Sequence, residues 1–198
     1  NLAKENNILV LSDEIYSRFL FEGEHNSITT FPDMLSQTII LDGFSKTYAM
    51  TGWRIGYGVF PKNLVEPISR LVTNSVSCTA SFTQQAAIEA ISGSQKEPNL
   101  MVQEFKKRRN LIVDGLNSIP GFNCAMPKGA FYAFPSISGT GFSSGVLANR
   151  LLEEAGVALL AGECFGKYGE GFLRISFANS EKNLNEALSR IETFIKAN

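Results

Sequence analysis

Short unbroken apolar runs mark the first sixty residues: Ile8–Leu11, the stretch Thr38–Asp42 around Ile39-Ile40-Leu41, and Ile55–Phe60. Runs of this length, bounded by polar turns, predict three strands, the first two with both faces covered. Between them Tyr16–Gln37 is mixed, with turn signals at Glu22-Gly23 and Phe31-Pro32, and Gly43–Gly52 is a loop of small and polar residues. The pattern then becomes helical. Pro61 suits the N1 position of a helix reaching about Val76, a second helix covers about Phe82–Ile91, and Ser92-Gly93 ends it. Pro98 opens a long amphipathic helix to about Asn117, apolar at Met101, Phe105, Leu111, Ile112 and Leu116. Its basic stretch Lys106–Arg109 is expected to be a solvated face. Beyond Pro120-Gly121, strands near Phe122–Ala125, Ala130–Phe134, Val157–Leu160 and Phe172–Ser176 alternate with helices near Ser143–Ala155 and Glu181–Lys196. That order is the pattern of a small α+β unit. The domain boundary is expected inside the long helix, giving domains 1–105 and 106–198. The opening Asn1–Asn7 reads as the last turns of a helix, without an initiator methionine or N-cap, so the chain is expected to be a fragment of a longer protein.

Strand order directs attention to four side chains. If the first two strands are parallel neighbours, Asp13 and Lys46 leave the sheet at the same carboxyl edge, where open α/β sheets bind ligands. The loop after Lys46 is too short for a parallel crossover, so the third strand is expected to return antiparallel. Arg54, at its beginning, then lies back at that edge. An acid, an amine and a guanidinium are expected to converge there, with Tyr16 three residues past Asp13. Singly, each has an ordinary explanation. Most lysines are solvated, an Asp-Glu pair after a strand is commonly a turn or cap, an exposed arginine pair contributes little, and a tyrosine packs. Lys46, however, is embedded in GFSKTYAMTGWRIGY, where glycines and a tryptophan surround the charge and partial desolvation is expected.

Charge and composition remove several classes. A net charge of −1 gives no electrostatic case for nucleic acid or an anionic membrane. No apolar run approaches the roughly 20 residues of a membrane helix. Cys78, Cys124 and Cys164 are widely spaced and read as reduced thiols of a cytoplasmic protein. A single histidine, His25, in a polar loop argues against a metal centre or a Ser-His-Asp triad.

Ser12-Asp13-Glu14-Ile15-Tyr16 together with Gly43 through Tyr57 resembles the class I/II aminotransferases of pyridoxal-phosphate fold type I, in particular their aspartate-aminotransferase-like branch. The resemblance continues through Pro127-Lys128-Gly129-Ala130-Phe131-Tyr132, through Ala161–Gly166, and through Phe172–Ala178. It departs at Ala161, where the family usually has proline. It implies an α/β fold: the C-terminal part of the large domain, an incomplete mixed sheet with helices, followed by a small α+β domain. It implies pyridoxal 5'-phosphate as cofactor, with Lys46 bonded to it, Asp13 facing its ring nitrogen, Tyr16 facing its ring hydroxyl, and Ser45 and Arg54 holding its phosphate. Arg174 would clamp the α-carboxylate of the substrate, a task suited to a planar fork. The expected reaction is amino transfer between an α-amino acid and a 2-oxo acid, in a homodimer. The family's chains are longer and carry further cofactor-binding groups upstream, so this chain is expected to be inactive alone. A lyase or synthase of the same fold type, and the ligand-sensing domain of a transcription regulator, remain alternatives.

Overall fold

β1 (Val10–Asp13) and β2 (Thr38–Gly43) run parallel, and β3 (Gly56–Val59) returns antiparallel beside β2, in a computed structural model that describes residues 1–198. Register places Asp13 opposite Leu41 and Gly43 opposite Gly56. The carboxyl ends of β1 and β2 and the start of β3 therefore share one edge. Glu14–Gln37 is long enough to cross over, whereas Phe44–Ile55 holds no helix longer than one turn and brings the chain straight back beside β2.

This sheet belongs to the first of two compact units, Asn1–Leu100, which also holds α1 (Leu2–Glu5), α2 (Lys62–Ser75) and α3 (Ser81–Ser92). Its first strand starts two residues later than the apolar run implies. The Ile8 N–H bonds Ala3 O at 2.9 Å and the Ile8 carbonyl accepts from the Gln37 amide at 2.8 Å, so Ile8 belongs to a turn. Nor is the run covered, since Ile8, Leu9 and Leu11 are all exposed. Pro61 is the N-cap of α2 rather than its first residue, and no residue of that helix is buried.

α4 (Lys96–Ser118) leads into the second unit, Met101–Asn198. It begins two residues before Pro98, which stays within the first turn, where a missing N–H costs nothing. Arg109 is a correction to the expected solvated face. It is buried, donating to Pro127 O at 3.1 Å and to the Asn110 side chain at 3.0 and 3.1 Å. The remaining elements are β4 (Tyr132–Ala133), α5 (Ser144–Ala155), β5 (Leu160–Ala161), β6 (Leu173–Ser176) and α6 (Glu181–Ala197). The strands form an antiparallel sheet in the order β4-β6-β5. Around Phe122–Ala125 there is only an isolated bridge from Asn123 to Ser136. The Asn117 side chain takes both backbone groups of Cys124, at 2.7 and 3.0 Å, which leaves none for a ladder. Leu116, Ala133, Ile137, Leu147, Leu151, Leu173 and Phe177 are wholly shielded and form the core of this unit.

Candidate active site

Two loops leave the carboxyl edge of the first sheet. The first begins at Asp13, whose Oδ1 accepts the Ile15 N–H at 3.2 Å in a local side-chain turn. The Glu14 N–H bonds Leu41 O at 2.8 Å, and further turns close from Ser17 to Glu14 O and from Phe19 to Tyr16 O, both at 2.8 Å. Phe19 is buried and its ring meets Tyr16 edge-on at 6.4 Å, which orients the tyrosine. The Glu14 carboxylate anchors this loop from within. It accepts from His25 Nε2 and Ser27 Oγ, each at 2.7 Å, and from Ser12 Oγ at 3.2 Å. Burial pushes the Glu14 carboxyl up, but these hydrogen bonds outweigh it and hold the group below the ordinary carboxylate value. His25, read from sequence as a polar-loop residue, is thus the partner of the acid adjoining Asp13.

The second loop, Phe44–Ile55, carries Ser45, Lys46 and Arg54. It starts and ends where β2 and β3 nearly touch: a Cβ on Gly43 would lie 2.9 Å from the Gly56 Cα and 3.1 Å from Ile55 O. A side chain at Gly43 would force that backbone apart. Phe44 and Met50 are buried with Ala87 in a small core on which Tyr48 and Ile55 pack. Lys46 is therefore slung between two apolar anchors. The backbone turns through the left-handed region at Ala49 (φ 53°) and Arg54 (φ 54°), at a cost of about 1–2 kcal/mol each for residues with a Cβ. Hydrogen bonds hold that shape, from Met50 N–H to Phe44 O at 3.3 Å, from Thr51 Oγ1 to Ser45 O at 3.0 Å, and from Arg54 Nη1 to Thr51 O at 3.0 Å.

The Lys46 Nζ stands 5.8 Å from the centre of the Tyr16 ring, and Lys46 is half-buried, as its flanking residues suggest. Asp13 lies at the same edge, exposed. Arg54 is also exposed, and no carboxylate of the chain pairs with it. Beside Arg54 opens a cavity of about 860 Å³, with Trp53, Cys78, Thr79 and Phe82 among its walls; Asp13, Tyr16 and Lys46 do not line it. Register and contact thus bring Asp13, Tyr16, Lys46 and Arg54 to one edge, with Ser45 beside the lysine.

Arg174 belongs to the second unit, on β6 opposite Leu160. Its guanidinium carbon lies 4.7 Å from the Tyr132 ring centre and 4.3 Å from that of Phe165. Two aromatic faces steady the cation, and no acid of the chain neutralises it. That bracket was invisible in the sequence, because Tyr132 and Phe165 lie 42 and 9 residues from Arg174. Among the three cysteines, all free, Cys124 is buried and burial pushes its thiol up. No group of acids, histidines and cysteines is arranged to hold a metal, and no helix is long and apolar enough to cross a membrane.

The profile of the family described as aminotransferase class I and II matches residues 1–191. The chain is 43% identical to a probable N-acetyl-LL-diaminopimelate aminotransferase of Bacillus subtilis, over 98% of this chain and 49% of that protein. It is 42% identical to an aspartate aminotransferase of Pyrococcus horikoshii, over 97% of this chain and 49% of the relative. The crystal structure of an aromatic aminotransferase from Pyrococcus horikoshii superposes with a TM-score of 0.95 at 38% identity, covering 99% of this chain and 53% of that one. The chain spans about half the length of the relatives it matches. With a family profile matched along nearly its whole length and a mixed α/β fold shared with solved aminotransferases, this chain belongs to the aminotransferase class I and II family.

Proposed function

We propose that this chain carries the lysine-bearing part of a pyridoxal-phosphate-dependent aminotransferase, which moves an amino group between an α-amino acid and a 2-oxo acid. The observation that carries the reading is the Lys46 amine, 5.8 Å from the Tyr16 ring, at the edge shared by Asp13 and Arg54. The donor set fits a phosphorylated pyridine aldehyde. It offers an amine for the carbonyl, a carboxylate for a protonated ring nitrogen, a phenol for the ring hydroxyl, and an unpaired guanidinium with the Ser45 hydroxyl for the phosphate. The relatives described above are all named aminotransferases, which favours amino transfer over a lyase or synthase.

Bound pyridoxal phosphate supplies a carbonyl carbon for amines and a ring that accepts electrons. In this reading Lys46 Nζ would be the amine that holds that carbon and the base that takes and returns the substrate α-proton. The Asp13 carboxylate keeps the pyridine nitrogen protonated. Tyr16 donates to the ring hydroxyl, and Arg54 and Ser45 fix the phosphate so that the carbonyl stays within reach of the amine. Arg174 binds the substrate α-carboxylate through its forked N–H groups, a role supported by its lack of an acidic partner. Residues 1–105 are then the remaining part of the cofactor-binding domain and 106–198 the small C-terminal domain. A homodimer is supported by the exposed Val65, Leu71 and Val72 of α2, and a cytoplasmic location by three free thiols.

Borohydride reduction of the purified chain mixed with pyridoxal phosphate, followed by peptide mass spectrometry, tests the reading. One adduct on Lys46, absent from Lys46→Ala, is the expected result. Adducts scattered over surface lysines such as Lys62 and Lys182, unchanged in Lys46→Ala, would overturn it.

A further inference from the structure

Arg18, Tyr48 and Gln95 come from three stretches of the first unit and meet at one point. Arg18 Nη1 donates to Gln95 Oε1 at 2.6 Å and to the Tyr48 hydroxyl oxygen at 3.0 Å. The Tyr48 hydroxyl in turn donates to the same Gln95 oxygen at 3.1 Å. The Gln95 amide nitrogen is committed to the carbonyls of Ala90 at 3.0 Å and Gly93 at 2.9 Å, at the C-terminal end of α3. Gln95 is therefore held by the helix end, and its oxygen presents a fixed acceptor to two donors from elsewhere.

Position along the chain gives the cluster its meaning. Arg18 lies two residues beyond Tyr16, and Tyr48 two residues beyond Lys46. The hydrogen bonds thus fasten the two loops that carry the phenol and the amine, side by side with the pair whose separation is 5.8 Å. Tyr48 is also well placed to transmit a displacement. Its ring lies 5.6 Å from that of Phe44 and packs on the small core of Phe44, Met50 and Ala87. Releasing the hydroxyl frees the ring to shift, and the backbone at Lys46 follows within two residues. As plain surface hydrogen bonds these would contribute modestly to stability and leave the lysine unaffected.

We infer that Arg18, Tyr48 and Gln95 are positioning residues for Lys46, acting through the Tyr48 ring and backbone to set the amine's place beside Tyr16. The catalytic importance of that placement rests on the proposed function, but the placement itself is measurable without cofactor. Brief acetylation of the chain from about pH 7 to 10, read by peptide mass spectrometry, gives the reactivity of Lys46 relative to the exposed Lys62 in the same molecule. Tyr48→Phe keeps the ring in the core, Gln95→Leu removes the shared acceptor, and Arg18→Met removes an exposed donor. Each is expected to change the Lys46-to-Lys62 ratio about threefold or more in the same direction, and the Tyr48→Phe/Gln95→Leu double variant no further than either single. Arg70→Met, which breaks the remote Arg70–Glu66 pair at 2.7 Å, is expected to leave the ratio unchanged. Ratios equal to wild type in folded Tyr48→Phe and Arg18→Met, or effects that add in the double variant, would overturn the inference. Failure of pyridoxal phosphate to label Lys46 would sink the proposed function and leave these ratios standing. Correct labelling with unchanged ratios would sink the clamp alone.

Discussion

In the unit Met101–Asn198, helices α4, α5 and α6 and a short antiparallel sheet shield seven apolar side chains completely, among them Leu116, Leu147, Leu173 and Phe177. In Asn1–Leu100 only Phe19 approaches that shielding, and Leu9, Leu11, Phe31, Leu71, Val76, Phe82 and Ile91 all stand exposed. The first unit's parallel strand pair, an arrangement that ordinarily lies buried on both faces, ends in an open β1 edge. Yet this thinly covered unit carries the strained loop, the half-buried amine and the unpaired guanidinium. Full shielding is thus concentrated in the second unit and the candidate cofactor-binding groups in the first, with Arg174 the one candidate residue outside it. The second unit shields its own core, whereas the first, in a chain spanning about half the length of its relatives, leaves apolar faces uncovered, with low local stability as the expected companion.

Core deletions should separate the regions most sharply. Leu116→Ala opens a cavity in a shielded site and is expected to cost about 3 kcal/mol, whereas Leu11→Ala, at an exposed position, should stay within about 0.5 kcal/mol. Urea titration followed by circular dichroism reads both. Equal losses would mean that the first strand is covered in solution.

Arg54→Gly should divide stability from binding within the first unit. It relieves a left-handed residue but also removes the Arg54–Thr51 hydrogen bond, so stability is expected to stay within about 1 kcal/mol of wild type. Pyridoxal phosphate affinity, measured by absorbance titration, should fall about tenfold or more with the loss of charge-assisted hydrogen bonds. A large loss of stability instead would assign Arg54 to the scaffold.

The smallest effect concerns the second unit and pH. The Glu163 carboxyl is raised chiefly by its hydrogen bond with the Glu170 side chain. Glu170 is lowered chiefly by the Ser144 backbone N–H, which it accepts at 3.0 Å at the start of α5. Because folding favours protonated Glu163, its contribution is full below the ordinary carboxylate value and is lost as pH rises through its raised value. Glu170 behaves oppositely: its contribution is present above the ordinary value and is lost as pH falls through its lowered value. Glu163→Gln keeps a donor toward Glu170 at every pH, so its thermal midpoint near neutral pH should rise slightly and lose the decline caused by Glu163 ionisation. A decline identical to wild type would show that the pair is too well solvated to matter.

How much of this was legible in the sequence follows the range of each interaction. The strand order was readable because the connection between β2 and β3 is short and carries no helical pattern, and the shared edge of Asp13, Lys46 and Arg54 came with it. The motif around Lys46 also announced the family. The start of β1 was misread because the Ile8 backbone is captured by Ala3 and Gln37, and the Phe122–Ala125 strand because Asn117 caps Cys124. Arg109 looked solvated on its helix, since nothing nearby names Pro127 as its acceptor. Arg18 and Gln95 lie 77 residues apart, and neither the His25–Glu14 pair nor the aromatic bracket of Arg174 leaves a periodic trace.

Hydrogen exchange of the whole chain, with and without saturating pyridoxal phosphate and read by mass spectrometry, tests the division of labour most directly. The expected result is slower exchange in Glu14–Phe19 and Phe44–Ile55 on addition of the cofactor, lost in Lys46→Ala. Peptides of α5 and α6 should be protected throughout and indifferent to it. Unchanged exchange in those two loops, or protection that Lys46→Ala retains in full, would contradict the account.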